Sequence, residues 1–489
     1  MFTFDNTYAR LPARFYARVA PTPVRAPRVI KVNRPLAELL GIEAEKLDSP
    51  EAAKFLSGNE IPEGAEPIAL AYAGHQFGSF VPQLGDGRAI LLGEVIGRDG
   101  KRRDIQLKGA GRTPFSRGGD GRAAMGPVLR EYVVSEAMAA LGIPTTRALA
   151  AIESCEPILR ETALPGAVFV RVASSHIRVG TFEYFAARGD NEAIALLVDH
   201  ALSRHYPQRA TSENRALALL EALIDAQANL VARWLGVGFV HGVMNTDNTS
   251  IAGETIDYGP CAFLDAYIPN KRFSSIDHGG RYAYANQPRI AHWNVVRLAE
   301  TLLPLISSDE EEAVRLATDR LERFVSIFDE AHLRVMRAKL GMVREEEGDR
   351  DLSNDLLQHL AANKVDFTLF FRRLCDAALG TEHDASVAAL FADSSAYAEW
   401  ALRWRARNAK EDHTPQERAA AMKRANPRFI PRNHRVEEMI EAAVERDDFA
   451  PFETLVRVLA NPFDDQPEFA YLADPPSTVD ETYRTFCGT

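Results

Sequence analysis

Alternating apolar and polar positions dominate the first third of the chain, and helical spacing dominates the last. RAILLGEVI (88–96) and RRDIQLKGA (102–110) read as two strands joined by a turn at Asp99-Gly100. A helix opens near Pro127 and closes before Gly142 and Pro144. GAVFVRVA (166–173) is another strand, with Val168, Val170 and Val172 on one face and Phe169 and Arg171 on the other. A long helix runs from about Asn214 to Leu235, ends at Gly236 and delivers the chain into the loop HGVMNTDN (241–248). Beyond residue 290 almost every stretch is helical, as in EEEAVRLATDRLERFVSIF and DFTLFFRRLCDAAL. The pattern predicts an α+β chain of three units, 1–150, 151–330 and 331–489, the last wholly helical.

Composition narrows the functional classes. The chain has 489 residues, 46% hydrophobic and 26% charged, which is ordinary for a globular protein. A net charge of -11 opposes bulk binding to nucleic acid or anionic membrane. No apolar run approaches the roughly 18 residues of a membrane span. The N-terminus carries arginines, but Asp5, Pro12 and the lack of serine favour an ordered segment over a transit peptide. Four scattered cysteines, Cys155, Cys261, Cys375 and Cys487, lack metal-ligand spacing and suit a reducing compartment, with the cytoplasm as the expected location.

Candidate chemistry gathers in a few stretches. In Ile105-Gln106-Leu107-Lys108 alternation puts Gln106 and Lys108 on one face, where Lys108 could meet nucleotide phosphates; taken alone, the tetrapeptide fits a solvated lysine on an edge strand better. The following helix offers Glu131 or Glu136 as a carboxylate to hold that lysine, and the helical wheel does not choose between them. LGDGRA (84–89) and GAGRTPFSRGGDGRAAMG (109–126) combine glycines, which let backbone N–H groups approach phosphate, with arginines, whose forked donors suit it. Neither matches a P-loop or dinucleotide fingerprint. Arg171 alone reads as a residue on a solvated sheet face. HGVMNTDN keeps the His and Asn of a kinase catalytic loop, but Val243 occupies the slot of the proton-accepting Asp, and Asp247 stands beside Asn248. TSIAGETIDYG then reads as a short hairpin ending in Asp257-Tyr258-Gly259, which would set an amide oxygen and a carboxylate on neighbouring strands for Mg²⁺.

The stretches AYAGHQFGSFVPQLGDGRA, DIQLKGAGRTPFSRGGDGRA, REYVVSEAMAALGIPTTRAL, GFVHGVMNTDN, DYGP and NPRFIPRN closely resemble the selenoprotein O family, kinase-like proteins that transfer AMP to other proteins. The resemblance implies a protein-kinase-like two-lobed fold, a mixed N-lobe sheet and a helical C-lobe, with a helical C-terminal extension. It implies ATP bound in a flipped orientation, with contacts from Gly85, Gly87, Arg88, Lys108, Asp120 and Gly121 and with Arg171 and Arg178 on the terminal phosphates. Glu131 would position Lys108, Asn248 and Asp257 would bind Mg²⁺ or Mn²⁺, and Asp247 would accept the proton of a Ser, Thr or Tyr hydroxyl. Partners are then ATP and protein substrates, with neither nucleic acid nor membrane. Some family members end in selenocysteine or cysteine followed by two serines, whereas this chain ends Cys487-Gly488-Thr489, which weakens a redox role for Cys487; Cys261 is its nearest sequence partner. Phosphotransfer wants an Asp where Val243 stands, and a scaffold would not need Lys108, Asn248 and Asp257 together.

Overall fold

The expected strand pair forms: Ala89–Ile96 and Arg102–Lys108 lie antiparallel, and Gly100 takes up the left-handed conformation of their turn. The computed structural model describes residues 2–43, 46–47, 49–477 and 485, so Cys487 lies outside the described residues. The sheet runs in the order Tyr16–Arg18, Ile68–Leu70, Ala89–Ile96, Arg102–Lys108, Ala163–Ala173, Arg147–Leu159, Arg28–Val32, with Ala123–Ala124 paired to Ala163–Ala173. Every pairing in it is antiparallel. Together with the helices this makes the chain α+β.

The position of Arg102–Lys108 corrects the edge-strand reading. It is a central strand, and Arg171 stands opposite Gln106 while Phe169 stands opposite Lys108. One face carries Ile90, Leu92, Ile105, Leu107, Val168, Val170 and Val172 in a common core with helices Arg34–Leu39 and Pro50–Ser57. The other face is not solvated either. Phe169, Ala148 and Ala151 pack beneath helix Met125–Ala140, on whose back lie Asn433–Arg446 and Ala450–Leu459 from the far end of the chain. Arg171 is therefore 2% exposed, not on a wet surface. Helix Met125–Ala140 starts two residues before Pro127, which falls in the first turn where no backbone N–H is needed.

Helix Arg215–Gly236 is the axis of the helical part. Asn214 caps it by accepting from the Leu217 N–H, and it packs against Gln287–Ile306 and Arg323–Leu340. It leads to Phe239–Val240, which pairs with Ala262–Phe263 and frames the loops between them. The short hairpin expected after Asn248 does not form. Its arms find separate partners: Ser250 bridges to Arg178, with backbone bonds joining Thr249 and Ile251 to Val179 and Ile177, and Thr255 bridges to Thr145, with backbone bonds to Thr146 and Pro144. Among the described residues, no helix is long and apolar enough to cross a membrane.

A second, two-stranded hairpin, Gly74–Gln76 with Ser79–Val81, is wedged between helix Val179–Ala186 and the 245–248 loop. Its fit rests on a missing side chain: a Cβ on Gly180 would sit 2.1 Å from the Ala73 carbonyl oxygen. Gly180→Ala is expected to lower the unfolding free energy by about 1–3 kcal/mol. Urea denaturation measures this, and an unchanged midpoint would show that the contact gives way freely.

Candidate active site

Four segments separated in sequence bring five charged side chains into contact. Lys108 projects from the end of its strand, and its Nζ donates to Glu131 Oε2 at 2.5 Å and to Asp257 Oδ1 at 3.1 Å. Arg171, on the adjacent strand, donates through Nη1 to the same Asp257 Oδ1 at 2.5 Å and to Glu131 Oε1 at 3.3 Å. Arg178, at the N-terminal end of helix Val179–Ala186, reaches Asp257 Oδ2 at 3.2 Å and the Asp247 carbonyl oxygen at 2.6 Å. Its guanidinium lies 4.4 Å from the centre of the Tyr72 ring, and its Nη2 is buried without a hydrogen-bond partner among the described residues. Gln106 shares the Lys108 face, as alternation requires, and its Oε1 accepts from Arg171 Nη2 at 2.6 Å and Nε at 3.1 Å.

The electrostatics follow from this packing. Burial alone would push the Asp257 carboxyl up, but Arg171, Lys108 and Arg178 outweigh it and hold the group well below the usual range. Asp257 also has a left-handed backbone, φ 62°, a conformation that Asp tolerates better than most side chains. Gly259 is not left-handed, so the turn in Asp-Tyr-Gly is made by the aspartate and not by the glycine as in the kinase pattern. His241 steadies the segment from beneath, with Nε2 against the Ile256 carbonyl at 2.8 Å and its ring stacked on Trp234.

Asp247 occupies the single turn Thr246–Asn248 and is 7% exposed. Gln76 Nε2 donates to its Oδ2 at 3.1 Å, while Oδ1 is buried without a partner. Burial raises its pKa to about 6, with Gln76 and Arg178 opposing the rise. Gly74 must be a glycine, because a Cβ there would come within 2.6 Å of Asp247 Oδ1. Asn248 donates its Nδ2 to the Val243 carbonyl at 3.0 Å, which commits the amide nitrogen and leaves Oδ1 as the oxygen available to a cation.

A family model described as protein adenylyltransferase SelO matches residues 1–460. The chain belongs to this family. A protein nucleotidyltransferase YdiU of Methylorubrum populi is 62% identical over 495 residues, covering 100% of this chain and 99% of the relative. Proteins of the same name from Bradyrhizobium sp. strain ORS 278 and Rhodopseudomonas palustris strain HaA2 are 62% and 60% identical over 488 residues, with the same coverage. The family is one of nucleotidyltransferases, and the residues that the resemblance singled out can be placed accordingly.

Lys108, Glu131, Arg171, Arg178 and Asp257 form one contact network, joined to Asp247 through Arg178. Glu136, the alternative to Glu131, instead takes Arg147 and Asn33. Gly85, Gly87, Arg88, Asp120 and Gly121 lie in the two loops that cover the end of the Lys108 strand. The first loop is braced on the second, since a Cβ on Gly85 would meet the Phe115 ring at 2.3 Å, and the second is closed on itself, since one on Gly121 would meet the Gly111 carbonyl at 2.0 Å. The Arg88 carbonyl accepts from the Gly109 N–H at 2.7 Å, and Asp120 is held by Arg160 at 2.8 Å. These glycines are thus required first by loop packing.

Sequence reasoning passed over Asp86, between the two glycines of LGDGRA. It is 2% exposed, accepts from the Leu70 N–H at 3.1 Å and Gln106 Nε2 at 3.3 Å, and burial raises its pKa to about 6. The only sequence signal was an acid between two glycines, two residues before Arg88. A carboxyl whose folded pKa exceeds its unfolded value loses stability as pH rises between the two. Asp86→Asn is therefore expected to stabilise the fold by up to about 3 kcal/mol at pH 7.5 and by little at pH 4. Urea titrations at both pH values test this; an equal effect at both would remove the buried charge as its cause.

Proposed function

We propose that this chain transfers AMP from ATP to a Ser, Thr or Tyr hydroxyl of a protein acceptor, with pyrophosphate as the leaving group. The observation that carries the reading is the convergence of Lys108, Arg171 and Arg178 on one side of Asp257, with a separately held carboxylate, Asp247, close by. Three cations and an unpaired buried guanidinium nitrogen suit a polyphosphate better than a neutral ligand. The strand lysine paired to a helix glutamate, followed by the 241–248 loop and Asp-Tyr-Gly, supports a kinase-like arrangement. In this reading the sheet lobe extends past the expected limit at 150, because strands Arg147–Leu159 and Ala163–Ala173 belong to its sheet; the helical lobe follows to about 330, and 331–489 is the extension, whose last helices brace Met125–Ala140.

The chemistry then follows from positions. The acceptor oxygen bonds to the α-phosphorus as the bond from that phosphorus to the oxygen bridging to the β-phosphate breaks, and the acceptor proton passes to Asp247. With a pKa near 6, Asp247 is ionised at neutral pH and can take that proton. Lys108, Arg171 and Arg178 neutralise the departing pyrophosphate, while Glu131 and Gln106 keep Lys108 and Arg171 aligned. Asn248 Oδ1 and Asp257 supply hard oxygens, too few for an all-protein cage, and among the described residues no group of three or more His, Cys, Asp or Glu could hold a metal. That donor set fits Mg²⁺, or Mn²⁺ in its place, completed by water and phosphate oxygens. Such an ion would polarise the α-phosphate and offset charge on the leaving group. Val243, 8% exposed, supports transfer from a phosphorus other than the terminal one, because no carboxylate stands where a kinase places its base.

Incubation with Mg²⁺, candidate acceptor protein and ATP labelled at the α or the γ phosphorus tests the reading. Covalent α label is expected; γ label would replace it with phosphotransfer, and no label would leave a nucleotide-binding scaffold. Asp247→Asn should slow transfer by about 10²- to 10⁴-fold with ATP binding retained. Asp257→Ala should abolish transfer, and persistent activity would overturn its assignment to the metal.

A further inference from the structure

Beside Asp247 lies a surface that the transfer chemistry does not use. The hairpin Gly74–Gln76/Ser79–Val81 turns at Phe77 and Gly78, both left-handed, with φ 52° and 89°. A bulky residue in that conformation costs about 1–3 kcal/mol and persists only where its surroundings hold it. Here the Phe77 N–H donates to Asn245 Oδ1 at 3.2 Å and to the Tyr282 hydroxyl at 3.1 Å. The His75 N–H donates to Thr246 Oγ1 at 2.7 Å, and Gln76 holds Asp247 itself. The hairpin is thus fixed to the loop that carries the base.

Its outer side faces solvent. Phe80 is 40% exposed and packs on the His75 ring, which meets the edge of Trp293 at 5.3 Å. Arg281 and Arg297 stack on the same indole at 4.7 and 4.9 Å. Arg297 is paired with Glu300, whereas Arg281 has no carboxylate partner among the described residues. The neighbouring Asp277 turns its oxygens to the backbone N–H groups of Arg281 and Tyr282 instead. An aromatic shelf with one unneutralised guanidinium is therefore attached directly to the candidate base, in a chain of net charge -11.

We propose that this shelf docks the acceptor protein through an acidic segment. Carboxylates of that segment meet Arg281, and apolar side chains lie on Phe80 and Trp293 beside the hydroxyl to be modified. The proposal rests on the adenylyl-transfer reading. A single-stranded nucleic acid could also stack on Trp293, but it would need a longer cationic track than one unpaired arginine provides.

Fluorescein-labelled peptides carrying a serine flanked by leucine and either glutamates or lysines test the surface by anisotropy, in the presence of a non-hydrolysable ATP analogue. The glutamate peptide is expected to bind about tenfold or more tighter. Arg281→Glu should reverse the preference and Arg281→Gln should level it, with urea midpoints confirming that both variants fold. An unchanged preference in Arg281→Glu, or tighter binding of a short oligothymidine, would overturn the docking proposal. Transfer of α label is followed on the same peptides: label with an unchanged preference sinks the docking surface alone, while an inverted preference without label supports the surface and sinks the transfer reading.

Discussion

Asp257 receives Arg171 at 2.5 Å, Lys108 at 3.1 Å and Arg178 at 3.2 Å, and the surrounding structure is organised to keep those four groups together. Arg171 and Arg178 are each 2% exposed, so neither can rely on water for solvation. Removing one partner of such a cluster would leave the others buried and unpaired, at a cost of about 3–5 kcal/mol. The sheet supplies Lys108 and Arg171, helix Met125–Ala140 supplies Glu131, and helix Val179–Ala186 sets Arg178 at its start. Asp257 completes the cluster from a left-handed backbone position that His241 and Tyr258 hold from below.

Dependence on that cluster extends outward in two directions. On the sheet side, Gln106 orients Arg171 and is itself held by Asp86, and the two glycine-rich loops pack on each other through Gly85 and Phe115. On the loop side, the 74–81 hairpin presses Gly74 and Gln76 against Asp247. The hairpin in turn needs Gly180, since the helix that positions Arg178 passes within contact of Ala73. Arg178 therefore links the metal-binding candidate, the base candidate and the hairpin in one rigid arrangement. That rigidity suits catalysis by positioning, in which little beyond geometry and charge is supplied.

Much of this was legible in local pattern. Alternation correctly placed Gln106 and Lys108 on one face, and the paired strands 89–96 and 102–108 followed from their apolar runs and the Asp99-Gly100 turn. Local pattern failed where the deciding partner was remote. Arg171 looked solvated because the covering layer comes from helix Met125–Ala140, itself backed by residues 433–459. The wheel left Glu131 and Glu136 equal because the difference lies in their partners, Lys108 for one and Arg147 with Asn33 for the other. The arms around Gly253 paired with Arg178 and Thr145 and not with each other, for the same reason. Gly85 and Gly121, which read as phosphate contacts, have an additional cause in tertiary packing that no spacing rule contains.

The charge balance at Asp257 bears directly on the proposed metal role of this carboxylate. With three cations on its carboxylate, the site without nucleotide is expected to bind a divalent ion weakly; on the proposed reading, nucleotide phosphates would draw the cations away and add oxygens of their own. Titration of Mn²⁺ followed by the paramagnetic resonance of the free ion measures this, with and without a non-hydrolysable ATP analogue. Binding should be about tenfold or more tighter in the ternary mixture than in protein alone or analogue alone, and Asp257→Asn should erase the gain. Equally tight Mn²⁺ binding without nucleotide would contradict the claim.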